Sequence, residues 1–313
     1  MRILLTGANG YVGRRLLPEL LSQGHEVICC VRDKNRLGLD KTTLEKVTLW
    51  EVDFLHPIDL NNLPEKIDVA YYLIHSMTSS TSDFDVMEGK SARNFNLYMN
   101  EIGVTQVVYL SGIVNNSELS KHLQSRKNVE DILFEGNFKT TVLRAGIIVG
   151  SGSSSFEIIR DLCEKLPIMI TPKWVLTKCQ PIAIRDVIQY LIGVLLKAEH
   201  YNKSYDIGGP NVITYKEMML LYAKTRGIRL WIFTLPVMSP KLSSYWLYFV
   251  TSTSYKLAIN LVDSMKLDVV CQNNDLQKAL NIKPITTIHI VSNRDFFTNL
   301  LFGVNIGIRM LLK

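Results

Sequence analysis

The chain has 313 residues, of which 47% are hydrophobic and 20% charged, which is typical of a globular protein with one or two domains. Its formal net charge of +6 comes without a dense Lys/Arg run, so the sequence lacks the usual signature of nucleic-acid binding. The five cysteines are irregularly spaced, and we expect reduced, buried thiols and no metal site. No apolar run has the length of a membrane span and the first predicted strand begins at residue 2, so we expect a cytoplasmic protein.

The N-terminal half alternates strand patterns with helical ones. Six strands are predicted, at "RILLTG", "EVICCV", "KVTLWEVDF", "DVAYYLIH", "TQVVYLSG" and "KTTVLRAGIIVG". Helices are predicted at residues 11–24, 83–102 and 121–136. Because parallel strands need crossover connections, this alternation predicts a parallel sheet with helices on both faces.

Beyond residue 150 the pattern is less regular. A Ser-capped helix is predicted in "SGSSSFEIIRDLCEKL", an apolar helix in "PIAIRDVIQYLIGVLLKAE", and a strand, turn and helix in "KSYDIGGPNVITYKEMMLLYAKTRG". We therefore expect an α/β protein with a Rossmann-type doubly wound parallel sheet and a smaller C-terminal lobe.

The loop after the first strand has the pattern of a phosphate-binding turn. In "LLTGANGYVGRRL", Gly7 permits a tight turn with positive φ, Gly10 lets the backbone approach a pyrophosphate, and Gly13 allows close packing of the following helix. The helix N-terminus would offer free N–H groups and a partial positive charge to the phosphates. The alternative is a strand-to-helix turn that needs its glycines for geometry alone.

The end of the second strand should select between NAD and NADP. Arg32 lies nineteen residues after Gly13, and a basic residue there accommodates the 2′-phosphate of NADP. Asp33 follows at once and could bind a 2′-hydroxyl or cap the next helix. We favour NADP, with NAD left open and a surface role for Arg32 as the alternative. At the end of the third strand, Asp53 and Phe54 could border the adenine, or Asp53 could cap a loop.

With these residues, the chain resembles the extended and atypical branches of the short-chain dehydrogenase/reductase superfamily. The resemblance covers roughly residues 1–220 and rests on "TGANGYVG", "VDF", "YYLIHSM", "VVYLSG", "VLRAGIIVGSGS", "PIAIRDVI" and "YDIGGPNVITYKEM". The chain looks most like a bacterial NAD(P)-binding group akin to the NmrA-like proteins and to the dehydrogenase-like accessory subunit of complex I. The resemblance implies an NAD(P)-binding domain at residues 1–165, with 182–200 packing back on it, and a smaller lobe at 201–313.

The family's catalytic Tyr-x-x-x-Lys pair is absent from its expected helix. By position, the family's substrate-holding Ser corresponds to Ser111, its Tyr to His122 and its Lys to Arg126. A histidine can exchange protons at neutral pH, and an arginine can hold a ribose or stabilise an oxyanion. The alternative is that His122 and Arg126 occupy a solvated helix face.

The end of the fourth strand adds further predicted contacts with the cofactor or the pocket. His75 and Ser76 end that strand, and ligands bind beyond the carboxyl ends of parallel strands. The predicted contacts are Gly7, Asn9, Gly10, Tyr11, Val12, Gly13, Arg32, Asp53, Phe54, Leu73, Ile74 and His75.

The C-terminal part carries two apolar stretches whose roles stay open. One brings together six aromatic residues, Trp231, Phe233, Tyr245, Trp246, Tyr248 and Phe249, as core or as the lining of a pocket for a quinone- or lipid-like ligand. The other, "FFTNLLFGVNIGIRMLLK", could pack on the body, form a dimer contact or touch a membrane surface. We expect an NADP(H)-using oxidoreductase or epimerase-like enzyme of unknown substrate; the alternative is a non-catalytic NADP(H) sensor or assembly factor.

Overall fold

The computed structural model describes residues 1–57, 60, 63–74, 84–114, 120–235 and 265–287. Its strands are β1 (Arg2–Thr6), β2 (Glu26–Val31), β3 (Val47–Glu51), β4 (Val69–Tyr72), β5 (Gln106–Gly112), β6 (Lys139–Ala145), β7 (Ile148–Val149), β8 (Ile168–Pro172), β9 (Lys178–Cys179), β10 (Ile182–Ala183), β11 (Lys203–Ile207), β12 (Ile213–Thr214) and β13 (Trp231–Leu235). Its helices are α1 (Gly13–Ser22), α2 (Lys41–Leu44), α3 (Phe84–Ile102), α4 (Lys121–Phe134), α5 (Ser154–Lys165), α6 (Ile184–Gly193), α7 (Tyr215–Arg226) and α8 (Asp275–Ala279).

The central sheet confirms the predicted fold class. Among the described strands, seven form one sheet in the order β11-β6-β5-β4-β1-β2-β3, and every neighbouring pair is parallel. Strands β2 and β3 are added on one side of β1, and β4, β5, β6 and β11 on the other, so the strand order reverses between β1 and β4. In doubly wound sheets the ligand crevice lies at this reversal, outside the carboxyl ends of the strands.

Two adjacent tyrosines on β4 show that helices cover both faces of the sheet. The Tyr72 hydroxyl donates to Ser91 Oγ of α3 at 3.2 Å, whereas the Tyr71 hydroxyl donates to the Leu191 carbonyl of α6 at 2.9 Å. Successive side chains of a strand point to opposite faces, so α3 and α6 lie on opposite sides. Each phenol oxygen is satisfied although both residues are fully buried.

The apolar helix predicted over residues 181–199 is shorter in the structure and ends at Gly193. The buried amide of Gln106 accounts for the early end. Its Nε2 donates to the Val194 carbonyl at 3.1 Å, and its Oε1 accepts from the Leu196 N–H at 2.6 Å. These backbone groups are therefore paired with a side chain instead of continuing the helix, and Leu196 adopts a φ of 49°.

The described chain divides into two compact units. The first comprises Met1–Ala145, Val187–Ile207 and Cys271–Ile282 and contains the seven-stranded sheet. The second comprises Gly146–Asp186 with the described parts of Gly208–Val270 and Lys283–Lys313.

This division differs from the predicted one. Residues 146–165 belong to the second unit, although we assigned them to the first domain. Conversely, β11 adds an edge strand to the large sheet, although residues 201–313 were assigned to the smaller lobe. Pairing in β11 is set by its neighbour β6, which a single-strand pattern does not reveal.

The second unit is built from short elements with well-formed caps. Ser153 caps α5 as predicted, and Thr214 and Glu217 form a capping box at α7, which ends at Gly227 with a φ of 67°. Strand β8 was not predicted, because its short apolar run lies between two prolines directly after a helix. None of the helices among the described residues has the length and apolarity that crossing a bilayer requires.

The cysteines behave as buried thiols in the part of the chain that the structure describes. Cys29, Cys30, Cys163 and Cys179 are buried, Cys271 is half-buried, and all five are free. Burial raises the pKa of the Cys29 thiol to about 12, so it is protonated at neutral pH.

A buried ion pair fixes α4 against the sheet and yields a stability prediction. Arg144 Nε donates to Glu130 Oε2 at 3.0 Å and Ser204 Oγ donates to Glu130 Oε1 at 2.9 Å, with Glu130 1% exposed. Glu130→Gln removes the charge and leaves Arg144 without its counterion, so we expect the free energy of unfolding to fall by about 2–4 kcal/mol in denaturant titration.

The matched control lies on the same helix. Asp131 forms an exposed i,i+4 ion pair with Lys127, and Asp131→Asn should cost no more than ~0.5 kcal/mol. Equal losses in the two variants would show that burial does not set the contribution of the Glu130 pair.

Candidate functional site

The loop after β1 is forced into shape by the close approach of β4. Gly7 has a φ of 63°, as predicted, and a Cβ there would lie 2.7 Å from the Leu73 carbonyl oxygen. The Gly10 N–H donates to the Gly7 carbonyl at 2.8 Å, which closes the turn. A Cβ on Gly13 would lie 2.3 Å from the same Gly7 carbonyl, so the start of α1 can sit against the turn only without a side chain.

The N-terminus of α1 presents backbone donors without a side-chain cap. Val12 is the N-cap residue and its side chain accepts no hydrogen bond from the helix. In the first turn, the Arg14 N–H donates to the Gly10 carbonyl and the Arg15 N–H to the Val12 carbonyl, each at 3.0 Å. What the helix end offers an anion is therefore mainly its partial positive charge. Beside it, the Arg15 guanidinium lies 3.9 Å from the centre of the Tyr11 ring and donates to the Tyr11 carbonyl at 3.0 Å.

The end of β2 separates the two candidates for reading the ribose. The Asp33 carboxylate accepts from the Asn35 N–H at 2.9 Å and caps the short 3₁₀ turn Lys34–Arg36, as one of our alternatives proposed. Arg32 is exposed and lines the cleft beside it. Asp33 lines the same cleft. Its carboxylate is engaged as a helix cap, whereas Arg32 has no such role.

The end of β3 contributes a capped turn and an aromatic wall. Asp53 Oδ1 accepts from the Leu55 N–H at 3.0 Å, so Asp53 caps a loop and also lines the cleft. Phe54 is buried and packs edge-on against Phe95 of α3, with ring centroids 5.5 Å apart. The position of Phe54 is thus fixed by the core before any ligand arrives.

Thr6 joins the two strands at the reversal point of the sheet. Its hydroxyl donates to the Tyr71 carbonyl at 2.9 Å and accepts from the Leu73 N–H at 2.9 Å. Leu73 and Ile74 then line the cleft. His75 and Ser76, which we predicted to follow them at the cofactor, lie outside the described residues.

These strand ends surround one open cleft of about 240 Å³, wholly within the first unit. The predicted contacts that line it are Gly7, Asn9, Gly10, Arg32, Asp53, Phe54, Leu73 and Ile74. Tyr11, Val12 and Gly13 are not in its lining and belong to the adjoining helix start.

The residues predicted to act on a substrate lie on β5 and α4. Ser111 is buried near the end of β5, and half-buried His122 lies in the first turn of α4. Gly112 lets the two elements meet, since a Cβ there would lie 3.2 Å from a Leu123 methyl group. Arg126 follows one turn after His122 and is 8% exposed, so the alternative of a solvated helix face is wrong for Arg126.

Arg126 belongs to a buried polar cluster formed with Tyr109, Ser125 and Glu88. Arg126 Nη1 donates to the Tyr109 hydroxyl at 3.3 Å, and Ser125 Oγ donates to Glu88 Oε2 at 2.7 Å. Burial by itself would lower the pKa of Arg126, but Tyr109 and the Glu88 carboxylate raise it above its ordinary value. Burial raises the pKa of Tyr109, so its phenol stays protonated at neutral pH.

Glu88 connects this cluster to the cleft, and the sequence reasoning missed it. Glu88 and Ser91 of α3 line the cleft although both are buried. A signal was present: Glu88 precedes Phe95 and Met99 by seven and eleven residues, so it lies on the apolar stripe of its helix. A carboxylate on a buried stripe is rarely tolerated without a partner, and this partner is Ser125.

The aromatic stretch that suggested an apolar pocket is only partly described. Trp231 and Phe233 lie on β13 and are exposed. Tyr245, Trp246, Tyr248 and Phe249, and the apolar C-terminal stretch, lie outside the described residues.

The cleft fits a dinucleotide on its own geometry. A glycine cradle leaves room for backbone contact, and the N-terminus of α1, with its partial positive charge, adjoins the cradle. Arg32 and the carboxyl ends of β1 to β4 complete a crevice at the reversal point.

Comparisons with known proteins agree with this geometry. Residues 7–161 match a family model described as NAD(P)H-binding. A nucleoside-diphosphate-sugar epimerase from Staphylococcus aureus superimposes with a TM-score of 0.75 at 15% identity, over 94% of this chain and 100% of that one. The Citrobacter sp. triphenylmethane reductase complexed with NADP(H) gives a TM-score of 0.74 at 15% identity, over 93% of this chain and 99% of that one.

One curated relative is the chloroplastic divinyl chlorophyllide a 8-vinyl-reductase of Cucumis sativus. It is 24% identical over 223 residues, which cover 66% of this chain and 52% of that protein. This chain thus spans about half the length of the curated relatives it matches.

Gly7 and Gly24 offer a matched test of the cradle, because both have positive φ. Alanine costs about 1 kcal/mol at either position through backbone strain alone. Only Gly7→Ala also drives a methyl group towards the Leu73 carbonyl, whereas no described atom would lie within 4 Å of a Cβ at Gly24. We expect Gly7→Ala to lower the melting temperature further and to weaken NADPH binding at least about tenfold, by calorimetry.

Gly24→Ala should bind NADPH as the wild type does. Equal affinities for the two variants would show that the close approach at Gly7 is not needed for the cofactor site.

Proposed function

Since residues 7–161 match a family model described as NAD(P)H-binding, we propose that the protein is an NADP(H)-dependent oxidoreductase of the short-chain dehydrogenase/reductase type that acts on a small substrate. The observation that carries this proposal is the continuity between the cleft and the buried cluster. Glu88 lines the cleft and accepts from Ser125, which adjoins Arg126 at the position of the family's lysine. Ser111, His122 and Arg126 are not in the lining of the cleft, and Glu88 is the residue through which the Arg126 end of the helix reaches it.

NADP is the favoured cofactor because, at the end of β2, the carboxylate of Asp33 is already hydrogen-bonded as a cap, whereas the guanidinium of Arg32 has no capping role. Asp33 also lines the cleft, but its carboxylate accepts from the Asn35 N–H and caps the 3₁₀ turn, so it is less available to accept from a ribose 2′-hydroxyl. Exposed Arg32 lines the cleft and can pair with that phosphate through a bidentate contact.

Calorimetric titration with NADPH and NADH tests this assignment. We expect NADPH to bind more tightly to the wild type, and Arg32→Ala to weaken NADPH binding about 10- to 100-fold with NADH little changed. Lys34→Ala is the control, because Lys34 is also exposed but does not line the cleft. Tighter NADH binding by the wild type would reject the assignment.

The bound nicotinamide would supply or accept a hydride. Ser111 orients the substrate oxygen through its hydroxyl, and His122 exchanges a proton with that oxygen or with an intervening water. Arg126 is held by its hydrogen bond to Tyr109, and its fixed positive charge would stabilise negative charge that develops on the oxygen. In this mechanism Arg126 takes over the charge stabilisation that the family's lysine provides. His122 takes over the proton transfer that the family's tyrosine performs.

A substitution at His122 tests the proton-transfer step. His122→Ala should lower kcat at least about 100-fold and leave NADPH affinity within about twofold, because general acid–base catalysis contributes about 10²–10⁴. Gln124→Ala, an exposed neighbour on α4, serves as the control. Unchanged turnover in the His122 variant would remove it from the mechanism.

A non-catalytic NADP(H) sensor or assembly factor is the second candidate, and Tyr109 favours it. Tyr109 is the phenol next to Arg126, and it is fully buried with a raised pKa, which makes it unsuited to contact a substrate. A screen of NADPH oxidation with quinones, aldehydes and ketones separates the candidates. Turnover of any of them would reject the sensor; binding of NADPH without turnover, together with cofactor-dependent capture of a protein partner, would support it.

A further inference from the structure

The small sheet of β8 and β13 in the second unit exposes an apolar face. The two strands pair in parallel, with Trp231 opposite Ile168 and Phe233 opposite Ile170. Side chains alternate along each strand, so these four point to the same side. Leu235 continues the row, and the five residues are called the apolar ladder below.

The exposure of the ladder is unusual for such large side chains. Trp231 and Ile168 are each 63% exposed, Phe233 57%, Ile170 53% and Leu235 44%. The intervening Met169 is fully buried, so the strand is anchored on its other face. Taking ~150–250 Å² for each large side chain, the ladder presents roughly 500 Å² of apolar surface, as large as the functional patches of typical monomers.

The segments that carry the ladder are basic and contain no acidic residue. Residues 165–178 and 224–235 hold six cations and neither Asp nor Glu. The cations are Lys165, Lys173, Lys178, Lys224, Arg226 and Arg229, and all are exposed. Lys165 is paired with Asp161 of α5 and follows the exposed Glu164, so the other five supply the positive charge. Arg229 lies two residues before Trp231, and Lys173 follows directly after β8.

We propose that the apolar ladder docks onto an anionic membrane surface. Trp231 and Phe233 enter the headgroup region, where aromatic side chains are favoured, and the flanking cations meet anionic headgroups. A second copy of the chain fits the same face less well, because two identical basic rims would repel each other. Two ladders would also bury only about 1,000 Å², less than the ~1,200–2,000 Å² of stable interfaces.

Co-sedimentation of the full chain with vesicles tests the proposal. The wild type should partition onto phosphatidylcholine vesicles that contain phosphatidylglycerol, and far less onto phosphatidylcholine alone. The double variant Trp231→Thr/Phe233→Thr should partition at least about tenfold more weakly, since partition scales with the apolar area inserted. Threonine keeps the strand propensity, and unchanged far-UV circular dichroism and melting temperature establish that the fold survives.

The control is Leu97→Gln, which removes an exposed apolar side chain from α3 in the other unit and should leave partition unchanged. The charge contribution is tested by Lys173→Gln/Arg229→Gln, which should weaken partition roughly fivefold for each cation removed.

Three outcomes would overturn the proposal. The first is that the wild type does not partition onto anionic vesicles, and the second is that the ladder variant partitions as strongly as the wild type. The third is that Leu97→Gln weakens vesicle partition as much as the ladder variant does. A wild-type dimer in analytical ultracentrifugation that the ladder variant dissociates, without vesicle binding by either, would assign the face to a second copy instead.

Discussion

The approach of Gly7 to the carbonyl oxygen of Leu73 is the constraint on which the site depends. Only a residue without Cβ, in a left-handed conformation, can carry the chain from β1 across the end of β4 at this distance. Thr6 makes the crossing rigid by hydrogen-bonding both ways to β4. The start of α1, and with it the partial positive charge of the helix end, is therefore positioned by backbone contacts and not by side chains that a ligand would have to displace.

A second organising feature is the line of buried polar groups between α3 and α4. On α3, Ser91 accepts a hydrogen bond from Tyr72 of the sheet. Glu88, one turn earlier on the same helix, accepts a hydrogen bond from Ser125 of α4. Such groups are stable in an interior only when paired, so the two helices are held in one relative position. A ligand that contacts Glu88 in the cleft thereby acts on the same rigid assembly that holds Arg126.

The sequence predicted the features whose causes are local. The strand bounds of β2, the positive φ of Gly7 and the cap of α5 follow from neighbouring residues, and the structure has each of them. The burial of Arg126 and the partner of Glu88 could not be predicted in this way, because Tyr109 and Ser125 are more than fifteen residues away in the chain. The helix periodicity indicated only that Glu88 is buried. The end of α6 likewise depends on Gln106, some ninety residues earlier.

The interleaving of the two units governs the order in which this protein can assemble during synthesis. Lys203–Ile207, which pairs with β6, leaves the ribosome some sixty residues after that strand is complete. Until then the hydrogen-bonding edge of β6 is open, and an open edge is a template for pairing with another chain. A fragment cut at the predicted boundary of residue 165 would keep that edge permanently, so truncation should favour aggregation over an isolated cofactor-binding domain.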